Sequence, residues 1–65
     1  MKNYLGFMRG KLGYTQEKMG EFLGVDMRTI RRLEAGEVPY LYYLAIRGLM
    51  PTLGKDVDAL EREFQ

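Results

Sequence analysis

Residues 15–34, TQEKMGEFLGVDMRTIRRLE, hold two short helices separated by a single glycine turn. Thr15 is a natural N-cap, because its hydroxyl can accept a hydrogen bond from an otherwise unpaired amide at a helix start. Glu17 puts negative charge in the first turn, where the helix dipole favours it. Met19, Phe22 and Leu23 give one apolar face at helical spacing. Gly24 ends that helix, since glycine takes the left-handed C-terminal conformation at little cost. Asp26 caps a second helix almost at once. In it Ile30 and Leu33 point inward, while Arg28, Arg31 and Arg32 lie largely on other faces. A short basic helix set at a sharp angle to its predecessor suits a major groove, where base edges are distinguishable.

The flanks extend the same all-helical pattern. Helix 1 is expected from about Asn3 to Leu12, with Leu5, Met8 and Leu12 spaced for one buried face. Gly6 and Gly10 weaken it by about 1 kcal/mol each relative to alanine. Gly13 ends it. Helix 2 spans about Gln16 to Leu23, and helix 3 about Met27 to Leu33. After a loop at Ala35-Gly36-Glu37, helix 4 begins near Pro39, where the missing amide hydrogen is harmless in a first turn. It continues to about Leu49 and must stop before Pro51. Gly54 marks a turn, Asp56 or its neighbour starts helix 5, and that helix runs to about Glu63. The chain thus reads as all-α, a compact five-helix domain with a central helix-turn-helix and no strand. Residues 1–65 make one domain, without repeat, linker or low-complexity segment.

Composition excludes much. A chain of 65 residues buries only about 60% of its unfolded surface. With no cysteine and no histidine, disulfides, most zinc sites and the usual general base are removed. No carboxylate pair suggests a catalytic cleft, so neither an enzyme, nor a metal, cofactor or small-molecule ligand is expected. No apolar run approaches the roughly 20 residues that span a membrane. The N-terminal MKNYLGFMRGK lacks the apolar core of a signal peptide, so a cytoplasmic location and no membrane partner are expected. Net charge is only +1, but residues 1–36 hold seven Lys/Arg against four Asp/Glu, and residues 37–65 hold three against five. The basic half coincides with the helix-turn-helix, as the electrostatic footprint of a nucleic-acid binder does.

The segment LGYTQEKMGEFLGVDMRTIRRLEAGE resembles the helix-turn-helix of the Cro/CI-type (XRE) family of phage and bacterial repressors. The matching positions are Arg9, Leu12, Gly13, Thr15, Gln16, Met19, Gly20, Leu23, Gly24, Val25, Ile30, Leu33, Glu34 and Gly36. With helices 1 and 4 the resemblance covers roughly residues 3 to 50. It implies a sequence-specific regulator of transcription, a repressor and often an autorepressor, bound as a homodimer to an inverted-repeat operator in double-stranded DNA. Small stand-alone phage or mobile-element repressors and anti-CRISPR-associated regulators share these features. The family also includes antitoxins that bind a partner protein, which is the alternative reading.

Residue by residue, the resemblance assigns Met27, Arg28 and Arg32 to base contacts. Arginine is suited to a bidentate contact with guanine O6 and N7, and Met27 to a thymine methyl. Gln16 matches a glutamine that hydrogen-bonds a phosphate beside a helix N-terminus, and Thr15, Thr29 and Arg31 are the other expected phosphate ligands. Arg9 and Glu34 match a salt bridge that fixes the angle of the recognition helix. Gly20 matches a position reserved for small residues, where helices 2 and 3 approach closely. Tyr40, Tyr42 and Tyr43 could stack on single-stranded bases, but at helical spacing they fit packing better. The loop Gly36-Glu37-Val38-Pro39 lacks the basic residues many family members carry, which argues against a phosphate clamp there. Leu53, Val57, Leu60 and Phe64 form an apolar seam, so the segment 53–65 caps its own core, meets a second subunit, or does both in part, and a dimer contact through helices 4 and 5 is expected.

Overall fold

The computed structural model describes residues 2–65. Five α-helices follow one another: α1 Tyr4–Leu12, α2 Gln16–Leu23, α3 Met27–Ala35, α4 Tyr40–Leu49 and α5 Val57–Phe64, with a 3-10 turn Met50–Leu53 between the last two. Among the described residues there is no strand, only an isolated antiparallel bridge between Lys2 and Glu37. The architecture is the all-α, five-helix one expected from the sequence.

The helix starts follow from capping. Thr15 Oγ1 accepts the Lys18 amide at 3.0 Å, Asp26 Oδ1 the Thr29 amide at 2.8 Å, and Asp56 Oδ1 the Ala59 amide at 3.1 Å. Each bond satisfies a donor that the helix itself leaves unpaired. Several expected boundaries shift by one or two residues. Asn3 stands outside α1, as its cap, with φ 65° and no side-chain cap bond. Pro39 is the cap of α4 rather than part of its first turn, with the extended ψ of 149°. α3 continues to Ala35, two residues past Leu33.

Gly20 explains how α2 and α3 come together. It is buried, and a Cβ built on it would lie 2.6 Å from the Val25 carbonyl oxygen. The Val25 amide in turn donates to the Gly20 carbonyl at 2.8 Å. The turn between the two helices is therefore folded directly onto the α2 backbone, closer than an alanine methyl allows. Gly24, at φ 77°, makes the reversal.

Every helix contributes to one core. Tyr4, Leu5 and Met8 of α1, Met19 of α2, Ile30 of α3, Ile46 of α4 and Met50 are fully buried, with Val38 and Val57 nearly so. α5 is docked on this core from its own chain. The Phe64 ring packs on Phe7 at 5.2 Å and edge-on to Tyr4 at 5.5 Å. The Tyr4 hydroxyl donates to Glu61 Oε2 at 2.8 Å, and burial, then that bond, push the phenol pKa upward. Arg47 of α4 donates to Asp58 Oδ1 at 2.9 Å and also pairs with Glu61. Lys11 closes the other end on Glu63 at 2.6 Å.

Candidate nucleic-acid interface

α3 is two-faced because Ile30 and Leu33 lie on its inner side, whereas its other apolar residues, Met27 and Ala35, sit exposed at its two ends. Ile30 is fully buried and Leu33 half-buried, while Met27, Arg28, Arg31 and Arg32 are exposed. Arg28 and Arg32, four apart, share one side of the helix. Neither makes a hydrogen bond or ion pair to another described side chain. Both act at a distance on Asp26, whose carboxyl is held below its usual pKa first by the Thr29 hydrogen bonds and then by these two guanidiniums. Two long cationic side chains with unused donors stand side by side on the outer face, with Met27 37% exposed at the helix tip.

Arg31 is different, because it is already held. Its Nε donates to Gln16 Oε1 at 3.4 Å, and its Nη2 lies 3.8 Å from Met27 Sδ. Gln16 in turn donates through Nε2 to Glu34 Oε1 at 3.1 Å. Glu34 takes a fork from Arg9, with Nε at 2.6 Å and Nη2 at 3.2 Å, while Arg9 Nη1 donates to the Tyr14 carbonyl at 2.9 Å. Partial burial works against ionising Glu34, but hydrogen bonds from Arg9 and Gln16 outweigh it and hold the carboxyl below its ordinary pKa. The chain Arg9, Glu34, Gln16, Arg31 thus ties α1, the start of α2 and the C-terminal half of α3 into one polar network.

The Arg9–Glu34 contact is where the resemblance puts it. The pair also extends through Gln16 to Arg31, an arrangement that no sequence motif marks. Its only trace in the sequence is the presence of bond-forming side chains at 9, 16, 31 and 34, and nothing local in the sequence joins them. Thr15 is exposed, with its hydroxyl oxygen engaged as a cap acceptor, and Thr29 is half-buried with its amide on Asp26. Thr15 and Gln16 open α2, and Thr29 and Arg31 lie on α3, so the expected phosphate ligands gather at the two helices of the motif.

The seam residues lie elsewhere. Val57 is buried, and Leu60 and Phe64 are partly buried against the core of their own chain. Leu53 alone of the four is exposed, at 39%. Of the two placements open to this segment, core capping takes up most of the seam. The tyrosines divide: Tyr43 packs on Tyr4 at 5.2 Å, Tyr42 is half-buried, and Tyr40 is 69% exposed and stacked on Tyr43. Among the described residues no group of three or more His, Cys, Asp or Glu is placed to hold a metal ion, and no helix is long and apolar enough to cross a membrane.

Comparison with known proteins agrees with this geometry. The sequence profile of a family described as Helix-turn-helix matches residues 7–39, which run from α1 through α2 and α3 to the cap of α4. The chain is 38% identical over 47 residues to YgzD of Bacillus subtilis (strain 168), described as an uncharacterized HTH-type transcriptional regulator. That alignment covers 72% of this chain and 71% of the relative. No solved structure matches the chain.

Proposed function

This chain belongs to the helix-turn-helix family, of the XRE type, and from that premise we propose that it is an operator-binding repressor that works as a homodimer on an inverted repeat. The family makes it a DNA-binding regulator of transcription and not an enzyme. In the proposed mechanism each subunit lays α3 in the major groove. Arg28 and Arg32 reach base edges there, with Met27 against a thymine methyl. Thr15, Gln16, Thr29 and Arg31 hold phosphates and fix the register. Occupancy of the operator then blocks polymerase in the bacterial cytoplasm.

The observation that supports this most is the contrast within α3. Arg28 and Arg32 are exposed and make no bond to a described side chain, whereas Arg31 is anchored through Gln16 to the Arg9–Glu34 pair. Free forks suit base reading, and an anchored guanidinium suits a fixed phosphate. Selection of bound sequences from random duplex DNA tests the reading. The expected product is an inverted repeat with half-site centres about 34–36 Å apart, one helical turn. Recovery of no motif would overturn it.

A further inference from the structure

We propose that the outward face of α4 is the surface through which two copies of this chain meet, related by a two-fold axis near Leu44 and Ala45. The inference rests on the dimeric reading above and moves the contact away from the α5 seam. That seam is largely spent: Val57, Leu60 and Phe64 lie against the chain's own core, and Arg47, Tyr4 and Lys11 tie α5 down with polar bonds.

α4 is apolar on every side. Its single charged residue, Arg47, is committed to Asp58 and Glu61 of α5. Ile46 faces the core, yet Tyr40, Leu41 and Leu44 are 69%, 78% and 43% exposed, and Ala45 and Gly48 are exposed beside them. At 3.6 residues per turn these five fall on about 140° of the helix circumference. A helix that is apolar all round is normally covered all round. Next to the stripe lies an apolar groove of about 220 Å³, lined by Leu23, Val25, Leu41, Tyr42 and Ala45. Projecting Leu and Tyr side chains and a receiving groove thus occur on one face. A two-fold contact requires that kind of self-complementarity.

The extent of the patch sets the strength. Tyr40, Leu41 and Leu44 present on the order of 300–400 Å² of apolar surface, the size of the largest patch on an ordinary monomer. A standard interface takes roughly 800 Å² per partner, so even with the groove walls the contact falls in the weak class. Such a pair forms partially when free and completely when neighbouring half-sites hold two copies together, because tethering supplies effective concentration.

Gly48 provides a variant that leaves the subunit intact. A Cβ there meets nothing within 4 Å, so Gly48→Glu adds helix propensity to the subunit while placing a charge in the contact. Leu41→Glu places a charge at the most exposed position, where the residue is 78% exposed. The chain has no cysteine, so Leu44→Cys is a clean reporter for a residue near the axis. Sedimentation of the full chain from micromolar to millimolar should show reversible dimerisation. Both glutamate variants should weaken it by roughly tenfold or more, and should weaken binding to a selected inverted repeat without weakening binding to one half-site. Mild oxidation of Leu44→Cys should give a covalent dimer, whereas Lys18→Cys, on α2, should give none. A dimer that persists in both glutamate variants overturns this interface and leaves the dimeric reading standing. A wild type that is monomeric throughout, and binds one half-site as tightly as two, overturns the dimeric reading and this proposal with it.

Discussion

Glu34 concentrates the electrostatics of the α3 end in one carboxylate. It accepts two bonds from Arg9 and one from Gln16, with its side chain 16% exposed. Removing Arg9 leaves that charge partly buried without its strongest partner. Arg9→Ala should therefore destabilise the chain by about 2 kcal/mol, an intermediate value for a pair that is not fully desolvated, and lower Tm by roughly 10 °C. It should also weaken DNA binding, although Arg9 does not lie on α3, because Gln16 and Arg31 lose their anchor. Thermal melts and titration of a selected duplex check both effects. A pH series adds a signature. The Glu34 pKa is lowered in the folded chain, so its contribution is complete above the ordinary glutamate value of about 4.3 and disappears as pH falls through the folded value. The melting gap between wild type and Arg9→Ala should close on acidification. A gap that stays constant to pH 3 would mean the pair does not carry the difference.

The element that positions everything else is the α2–α3 turn. Gly20 is its tightest point, and two effects of a methyl there oppose one another. Alanine improves helix propensity by about 1 kcal/mol. Against this stands a 2.6 Å approach to a backbone oxygen that cannot rotate away. Overpacking costs typically 1–3 kcal/mol, so Gly20→Ala should be net destabilising by about 1 kcal/mol and should tilt α3. Denaturant melts decide the sign, and a stabilised variant would show that the turn relaxes freely. The helices were legible because local chemistry writes their ends: Thr15, Asp26 and Asp56 as caps, Gly13 and Gly24 as stops. Asn3 and Pro39 were misplaced by one position, since cap and first-turn residues share similar composition. The Gln16–Arg31 and Arg47–Asp58 bonds were not legible at all. They join residues 15 and 11 apart in sequence through tertiary approach alone. The outward α4 stripe was hidden for a different reason. Apolar residues on every side of a helix do not say which side turns inward, and only the exposure of Leu41 and Leu44 against burial of Ile46 answers that.

At the scale of the whole molecule, a small core leaves little reserve. Phe64 closes it from the far end of the chain, touching Tyr4 and Phe7 of α1. Phe64→Ala should cost about 2–3 kcal/mol, below the roughly 3–5 kcal/mol of buried aromatic truncations because the ring is only half-buried, and near-ultraviolet dichroism with thermal melting measures it. A loss under 0.5 kcal/mol would place the α5 contact outside the cooperative core. The charge split has a counterpart in binding. Positive charge gathers in residues 1–36, so DNA affinity should fall steeply with salt as counterions are released, and a flat dependence between 50 and 200 mM, about the range over which phosphate contacts are tested, would deny those contacts. Whether α3 reads bases decides the mechanism. The decisive measurement is the affinity of wild type, Arg28→Ala and Arg32→Ala for a selected duplex and for each single-base variant of one half-site. Each arginine variant should lose discrimination at one base pair per half-site, about 1–3 kcal/mol, and keep it at the others. If both variants instead weaken binding equally to every sequence, Arg28 and Arg32 hold phosphates and α3 is not read as proposed.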